Sequence, residues 1–326
     1  MRIAIAGAGA IGGYIGAKLA KAGADVVLFA RGPHLQAMQQ RGLRIVSSED
    51  GDFEVKPEIS GDLNALAGAD VIVLGVKAHG LTTLAPRLRP LFGPDTVVVS
   101  TQNGIPWWYF QNYPGDLNGL HLEHVDPGGA IATAVEPERV IGSLAYFSTD
   151  IAEPGVIHHT GGDRLSLGEP NGTRTNRVKA LAQVLIAAGL RAPVTTRFRH
   201  EVWVKLLGNV AFNPISALTG GMLDEMVRHP AVSQTIREIM AETEAVAARL
   251  GIELPISIGQ RMAGAEKVGA HKTSMLQDYE AGRPMELDAI AGAVVELGEK
   301  LGVPMPATRA VYACAKMLDE RRRGLS

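Results

Sequence analysis

The chain has 326 residues, a formal net charge of −2 and a single cysteine. Its length is sufficient for two domains with separate cores, and its near-neutral charge gives no reason to expect a nucleic-acid partner. One cysteine cannot form an internal disulfide, which is typical of the reducing cytosol, and no apolar run approaches the roughly 18 residues of a membrane helix. We therefore expect a cytoplasmic protein with no membrane partner.

The beginning of the chain carries the most informative motif. An apolar run predicts a strand over residues 2–6, and a helix is predicted from the glycine turn to about residue 22. Between them lies a G-x-G-x-x-G turn, which consists of Gly7, Ala8, Gly9, Ala10, Ile11 and Gly12. In such turns the glycines allow a sharp bend, close approach of a pyrophosphate and tight packing of helix on strand, with the helix N-terminus facing the phosphates. These six residues are therefore predicted to bind a dinucleotide.

The residue after the second strand, predicted over 25–30, indicates which dinucleotide. NAD-binding folds place an acidic side chain there, whereas NADP-binding folds place a cation against the 2′-phosphate. This chain has Arg31 and no nearby carboxylate. A charge-assisted bond to phosphate contributes about 1.5–3 kcal/mol, so Arg31 favours NADPH over NADH by roughly ten- to a hundredfold. A glycine turn of another α/β protein, with a surface arginine, is the alternative.

The rest of the N-terminal half predicts an α/β sheet. A continuous apolar run over 70–76 predicts a central parallel strand, and it ends at Lys77. A further strand over 96–100 delivers Gln102, Asn103 and Gly104 to the same edge, where open α/β sheets bind ligands. Alternation predicts a hairpin over 43–55 and an antiparallel extension of three strands over 142–150, 155–160 and 163–168, followed by a short strand over 193–196.

Residues 107–129 are predicted to form a long loop with a cluster of aromatic residues at Trp107, Trp108 and Tyr109. Long loops in compact domains are often functional. The sequence leaves open whether this loop is a lid, an interface or a disordered segment.

From about residue 197 the pattern becomes helical. Apolar residues recur at helical spacing before Gly251 and before Gly302. The sequence therefore predicts an α/β Rossmann dinucleotide-binding domain over 1–196 and an all-helical domain over 197–326. Cys314 lies in an apolar helical run and is interpreted as a core residue rather than a nucleophile.

The helical half begins with a polar stripe on an apolar helix. Lys205, Asn209 and Asn213 recur every four residues, which places them on one side of the helix. Unpaired polar groups in such a helix cost about 1–3 kcal/mol each, so the stripe should face a ligand, water or a polar partner. A lysine there could donate the proton when a carbonyl is reduced. Alternatively, the lysine reaches outward to solvent and the asparagines satisfy neighbouring backbone groups.

A third polar stretch contains His271, Ser274, Asp278, Glu286 and Asp288. Ser274 and Glu286 could offer a hydroxyl and a carboxylate to one site from the ends of two consecutive helices. On residue type and spacing alone they are unremarkable.

Taken in order, these motifs resemble the ketopantoate reductase family over nearly the full length. The resemblance rests on the glycine turn with Arg31, Val76-Lys77, Gln102-Asn103-Gly104, Lys205-x-x-x-Asn209-x-x-x-Asn213-Pro214, Ser274-Met-Leu-Gln-Asp278 and Glu286-x-Asp288. It implies a Rossmann domain, an all-helical domain and an active site in the cleft between them. It further implies reduction of 2-dehydropantoate to (R)-pantoate with NADPH, on the route to pantothenate and coenzyme A, with no metal.

The resemblance also implies roles for individual residues. Lys205 is the general acid, and Glu286 binds the substrate hydroxyl. The residues that orient the substrate and its carboxylate are Asn209, Asn213 and Ser274. Asn103 bridges cofactor and substrate, and Lys77 lies by the adenosine phosphate end of NADPH.

Two departures from the family pattern leave the exact substrate open. His271 stands where the family often has asparagine, and the 107–129 loop is long and aromatic. The alternatives are a related reductase of another small 2-oxo acid and an NADP-binding regulator without turnover. Arg31 argues against a methyltransferase using S-adenosylmethionine, since such sites usually present a carboxylate to the ribose. The oligomeric state is left open, with a homodimer among the alternatives.

Overall fold

The structure is a computed structural model that describes residues 1–325. The chain divides into two compact units. Unit 1 comprises residues 1–102, 107–121 and 128–198, and unit 2 comprises residues 103–106, 122–127 and 199–326. The division into domains at residue 196 stays a prediction.

Unit 1 is built on a nine-stranded sheet. Its strands are β1 Arg2–Ala6, β2 Asp25–Phe29, β3 Leu43–Ser47, β4 Phe53–Val55, β5 Glu58–Ser60, β6 Val71–Leu74, β7 Val97–Ser100, β8 Val140–Glu153 and β9 Val156–Gly168. Six of them run parallel in the order β5-β2-β1-β6-β7-β8. This is the Rossmann order, in which ligands bind where the strand order reverses, beside β1. The predicted Rossmann fold is confirmed.

The sheet extends beyond β8 differently from the prediction. The two runs over 155–160 and 163–168 form a single strand, β9, which pairs antiparallel with β8. Gly161 and Gly162 have positive φ angles, and the register shifts opposite them, so these glycines make a bulge rather than a turn. The predicted strand over 193–196 was wrong, because Val194 makes only an isolated bridge to Leu167. The 43–55 hairpin is confirmed, and its first strand joins the sheet parallel to β9.

Five α-helices belong to unit 1: α1 Ala10–Lys21, α2 Gly32–Arg41, α3 Ala78–Leu88, α4 Ala130–Ala134 and α5 Asn176–Ala187. The core between sheet and helices is almost wholly aliphatic, as expected for a parallel sheet covered on both faces. The 107–129 region contains no strand and only short 3₁₀ turns. Its aromatic residues Trp107 to Phe110 are buried, and the Trp108 ring packs 5.7 Å from that of Phe198.

Helices alone make up the regular structure described after residue 198. They are α6 Phe198–Thr219, α7 Leu223–Arg228, α8 Pro230–Arg249, α9 Ile258–Val268, α10 Ser274–Glu280, α11 Ala293–Leu301 and α12 Pro306–Arg322. A π-helical turn, Asp288–Gly292, leads into α11. The predicted all-helical character is confirmed. The interpretation of Cys314 as core was wrong, because it is exposed on α12. Among residues 1–325, no helix combines the length and apolar character needed to cross a bilayer.

Candidate active site

The glycine turn after β1 is shaped by packing at two positions and left open at the third. A Cβ atom on Gly7, whose φ is +113°, would lie 2.4 Å from the Val76 side chain. A Cβ atom on Gly12 would lie 2.2 Å from the Gly7 carbonyl oxygen. At Gly9, by contrast, the nearest atom is 3.9 Å away. Gly7 and Gly12 therefore let helix and strand meet, whereas the open space at Gly9 suits the close approach of a ligand.

The N-terminus of α1 begins at this open space. Gly9 caps the helix without any side-chain hydrogen bond. The first N–H groups of a helix have no intrahelical acceptor and lie at the positive end of its dipole. Together with the space over Gly9, they fit the pyrophosphate of a dinucleotide.

Arg31 and Lys77 flank the turn on unit 1. Arg31 is exposed immediately before α2, so its guanidinium is accessible to a phosphate. Lys77 follows β6 and immediately precedes α3, next in sequence to Val76, which packs on Gly7. Both residues therefore belong to the sheet edge at which the glycine turn lies.

Sequence reasoning missed His34, which also borders the glycine turn. Its Nδ1 accepts a hydrogen bond of 3.0 Å from the Gly155 N–H. Burial lowers the pKa of His34, and the Ala8 backbone partly opposes that shift. A histidine three residues after Arg31 carries no pattern that would reveal these contacts.

A buried polar cluster anchors the outer side of α1. The Tyr14 hydroxyl donates to Asp50 at 2.7 Å, and the Lys18 ammonium lies 3.0 Å from the same carboxylate. Burial and the bond to Asp50 raise the pKa of Tyr14. The cluster holds the helix whose N-terminus borders the glycine turn.

In unit 2, the predicted stripe lies on α6. Lys205 and Asn209 are half-buried, and Asn213 is only 5% exposed. Within residues 1–325, neither asparagine amide makes a hydrogen bond to the protein. Amides buried to this degree require partners, so the stripe is suited to a polar ligand.

Ser274 lies near the same part of α6. It begins α10, whose capping residue Thr273 accepts from the Leu276 N–H. The hydroxyl of Thr273 contacts that of Ser216 at 2.5 Å, and Ser216 donates to the Asn213 carbonyl at 2.8 Å. This chain of hydrogen bonds fixes the N-terminus of α10, where Ser274 is exposed, next to the Asn213 end of the stripe.

Glu286 and Asn103 are brought together across 183 residues of sequence. The Asn103 amide donates to the Glu286 carboxylate at 3.4 Å. Asn103 thus lies in unit 2 with the predicted substrate residues, although β7, which ends three residues before it, belongs to unit 1.

The π-helical turn explains how Asn103 is held there. Helical turns of this type free backbone groups and are frequent at functional sites. The Ala289 carbonyl accepts a 3.0 Å hydrogen bond from the Ile105 N–H. Gly104, at φ +91°, lies so close that a Cβ atom would be 2.1 Å from the same carbonyl oxygen. The backbone immediately after Asn103 is therefore held against the turn that follows Glu286.

Asp288 ties the start of the π-helical turn to α12. Its carboxylate accepts from the Tyr312 hydroxyl at 2.7 Å and from the Lys316 ammonium at 2.6 Å. Burial, followed by the bond to Asp288, raises the pKa of Tyr312. Asp288 is therefore a support for the site rather than one of its ligands.

Each unit carries polar groups suited to ligand binding. Unit 1 has the open glycine turn with Arg31 and Lys77, and unit 2 has a lysine, a carboxylate and several amide and hydroxyl groups. A Rossmann sheet followed by a helical unit with such polar groups defines a dinucleotide-dependent oxidoreductase of two domains.

Comparison with known proteins identifies the family. The family model described as Ketopantoate reductase PanE/ApbA matches residues 3–172. The model of the C-terminal part of the same family matches residues 197–319. A 2-dehydropantoate 2-reductase of Mesorhizobium japonicum is 48% identical over 324 residues, which cover 99% of each chain. The chain belongs to the ketopantoate reductase family.

Two solved structures show the same fold. The PanE/ApbA family ketopantoate reductase of Ralstonia eutropha is 30% identical with a TM-score of 0.85, covering 99% of this chain and 100% of that one. D-mandelate dehydrogenase in complex with NADH is 25% identical with a TM-score of 0.81, covering 100% of both chains.

Proposed function

We propose that this protein is an NADPH-dependent 2-dehydropantoate 2-reductase, which reduces ketopantoate to (R)-pantoate in pantothenate and coenzyme A biosynthesis. The observation that carries the proposal is the full-length similarity to the Mesorhizobium enzyme. The residue types on both units agree with it.

Unit 1 supplies the cofactor site. The N-terminus of α1 and the open face of Gly9 hold the pyrophosphate, Arg31 pairs with the 2′-phosphate, and Lys77 lies by the adenosine phosphate end. NADPH, when bound, supplies the hydride for the carbonyl carbon.

Unit 2 supplies the proton and holds the substrate. The Lys205 ammonium can give its proton to the C2 oxygen as that oxygen gains charge. Glu286 accepts a hydrogen bond from the substrate hydroxyl, and Asn103 orients Glu286. Asn209, Asn213 and Ser274 orient the substrate, since each presents donors or acceptors on or beside the stripe.

A related reductase of another 2-oxo acid is the second candidate. The full-length likeness to D-mandelate dehydrogenase favours it, because the name of that relative indicates a 2-hydroxy acid with an aromatic side chain. A regulator that binds NADP without turnover is less well supported, since it has no use for a lysine and unpaired amides on one helix face.

The test is the loss of NADPH absorbance on mixing enzyme, NADPH and a 2-oxo acid. We expect kcat/KM to be highest for ketopantoate and higher with NADPH than with NADH. Turnover only with other 2-oxo acids would favour the second candidate. Binding of NADPH without turnover of any of them would favour the regulator. A cytoplasmic location and a homodimer stay predictions, to be checked by fractionation and by light scattering.

A further inference from the structure

Arg261 is a cation placed against the helix that carries the proposed acid. It lies on α9, and its guanidinium lies against Gly208 of α6. A Cβ atom on Gly208 would be 2.1 Å from Nη2, 2.5 Å from Nε and 2.6 Å from Cζ of Arg261. The guanidinium therefore occupies the place of a side chain, and only glycine at 208 allows it.

The position of Gly208 brings this cation to the polar stripe. Gly208 follows Lys205 by three residues and immediately precedes Asn209. Residues three and four apart are neighbours on a helix surface. A guanidinium lying on Gly208 is consequently beside the Lys205 side chain.

Both residues of this contact are locally unfavourable for helix stability. Glycine in a helix interior is destabilising compared with alanine, and Gly208 lies buried within the long helix α6. Arg261 is the fourth residue of α9, where a cation faces the positive end of the helix dipole. Departures from local preference are expected at functional sites.

We propose that Arg261 binds the carboxylate of the substrate and so selects 2-oxo acids over uncharged ketones. This inference rests on the proposed function. Asn209, Asn213 and Ser274 are neutral, whereas a 2-oxo acid brings a full negative charge that needs compensation. The guanidinium has five N–H donors, so a bond to a protein group leaves others for a carboxylate, which it can hold through two parallel bonds. Lys205 then serves the carbonyl oxygen, and Arg261 the carboxylate.

The test compares ketopantoate with its methyl ester, which keeps the 2-oxo group but has no charge. For Arg261→Met we expect kcat/KM for the acid to fall by about ten- to a hundredfold, mainly through KM. For the ester, which lacks the carboxylate, kcat/KM should change by no more than about twofold. Arg261→Lys keeps the charge without the planar fork, so we expect a partial loss.

Gly208→Ala tests the same contact by changing α6 instead of Arg261. It should displace the guanidinium and reproduce the selective loss for the acid. Gly264→Ala is its matched control, because a Cβ atom there meets nothing within 4 Å. Arg237→Met, at an exposed position of α8, controls for the loss of one positive charge. Thermal unfolding establishes that each variant is folded.

The outcomes separate this inference from the proposed function. If kcat/KM fell equally for the acid and the ester, Arg261 would have only a structural role. An unchanged kcat/KM for the acid would also overturn the inference. Calorimetric titration of pantoate should show the same loss of affinity in Arg261→Met without any turnover. Wild-type protein that neither reduces ketopantoate nor binds pantoate would overturn the proposed function, and this inference with it.

Discussion

Replacing Gly104 by alanine should damage both stability and turnover. Alanine at φ +91° pays about 1–2 kcal/mol for a left-handed backbone. Its Cβ atom, 2.1 Å from the Ala289 carbonyl oxygen, adds an overpacking cost of about 1–3 kcal/mol. We therefore expect the free energy of unfolding to fall by roughly 2–5 kcal/mol. Relief of the clash must move Asn103 relative to Glu286, and displacements of about 1 Å can cost up to a hundredfold in rate.

Gly251→Ala is the matched control. Gly251 also has a positive φ, +71°, but a Cβ atom there meets nothing within 4 Å. The free energy of unfolding of this variant should fall only by the backbone cost of about 1–2 kcal/mol. Its kcat should equal that of the wild type. Urea unfolding and steady-state kinetics of both variants measure the two effects. If Gly104→Ala matched Gly251→Ala in stability and the wild type in kcat, the proposed support of Asn103 would be refuted.

Three further predictions address the chemistry, the cofactor and pH. Lys205→Ala should lower kcat by about a hundred- to ten-thousandfold without changing NADPH affinity, and an unchanged kcat would exclude Lys205 as the acid. Arg31→Ala should raise KM for NADPH by about ten- to a hundredfold while KM for NADH stays constant; equal changes would refute a 2′-phosphate contact. Burial tends to raise the pKa of Glu296, but bonds from the backbone and ring of His124 outweigh it and hold that pKa below its ordinary value of 4.5. The resulting stability is present above pH 4.5 and is lost as the pH falls through the folded-state pKa, so Tm of the wild type should decline more steeply below pH 4.5 than Tm of Glu296→Gln. Parallel Tm curves would contradict this account.

The Rossmann half could be predicted because its signals are local. Glycine spacing, apolar strands and the residue after β2 all act within a few residues of one another. The prediction went wrong at Gly161 and Gly162, since two glycines indicate a turn as readily as a bulge, and only pairing with β8 decides between them. The strand over 193–196 failed because backbone pairing there is limited to isolated bridges.

For the candidate site, the sequence indicated the stripe on α6 but not what surrounds it. Helical spacing predicts that Lys205, Asn209 and Asn213 share a side, whatever the tertiary structure. The π-helical turn has no sequence signature, so the contact between Gly104 and Ala289 could not be foreseen. Arg261 was missed for a similar reason, because its place beside α6 depends on a contact with a glycine more than fifty residues earlier.

The interleaving of the two units bears on how the polypeptide is made. Residues 103–106 and 122–127 leave the ribosome early, yet they belong to unit 2. The backbone N–H of Glu123 donates to the carboxylate of Glu296, so this bond cannot form until 173 further residues have been synthesised. Until then these segments have unpaired backbone groups that a chaperone or a neighbouring nascent chain can capture. A fragment beginning at residue 197 would lack the same segments, and with them the contacts of Asn103 with Glu286 and of Glu123 with Glu296.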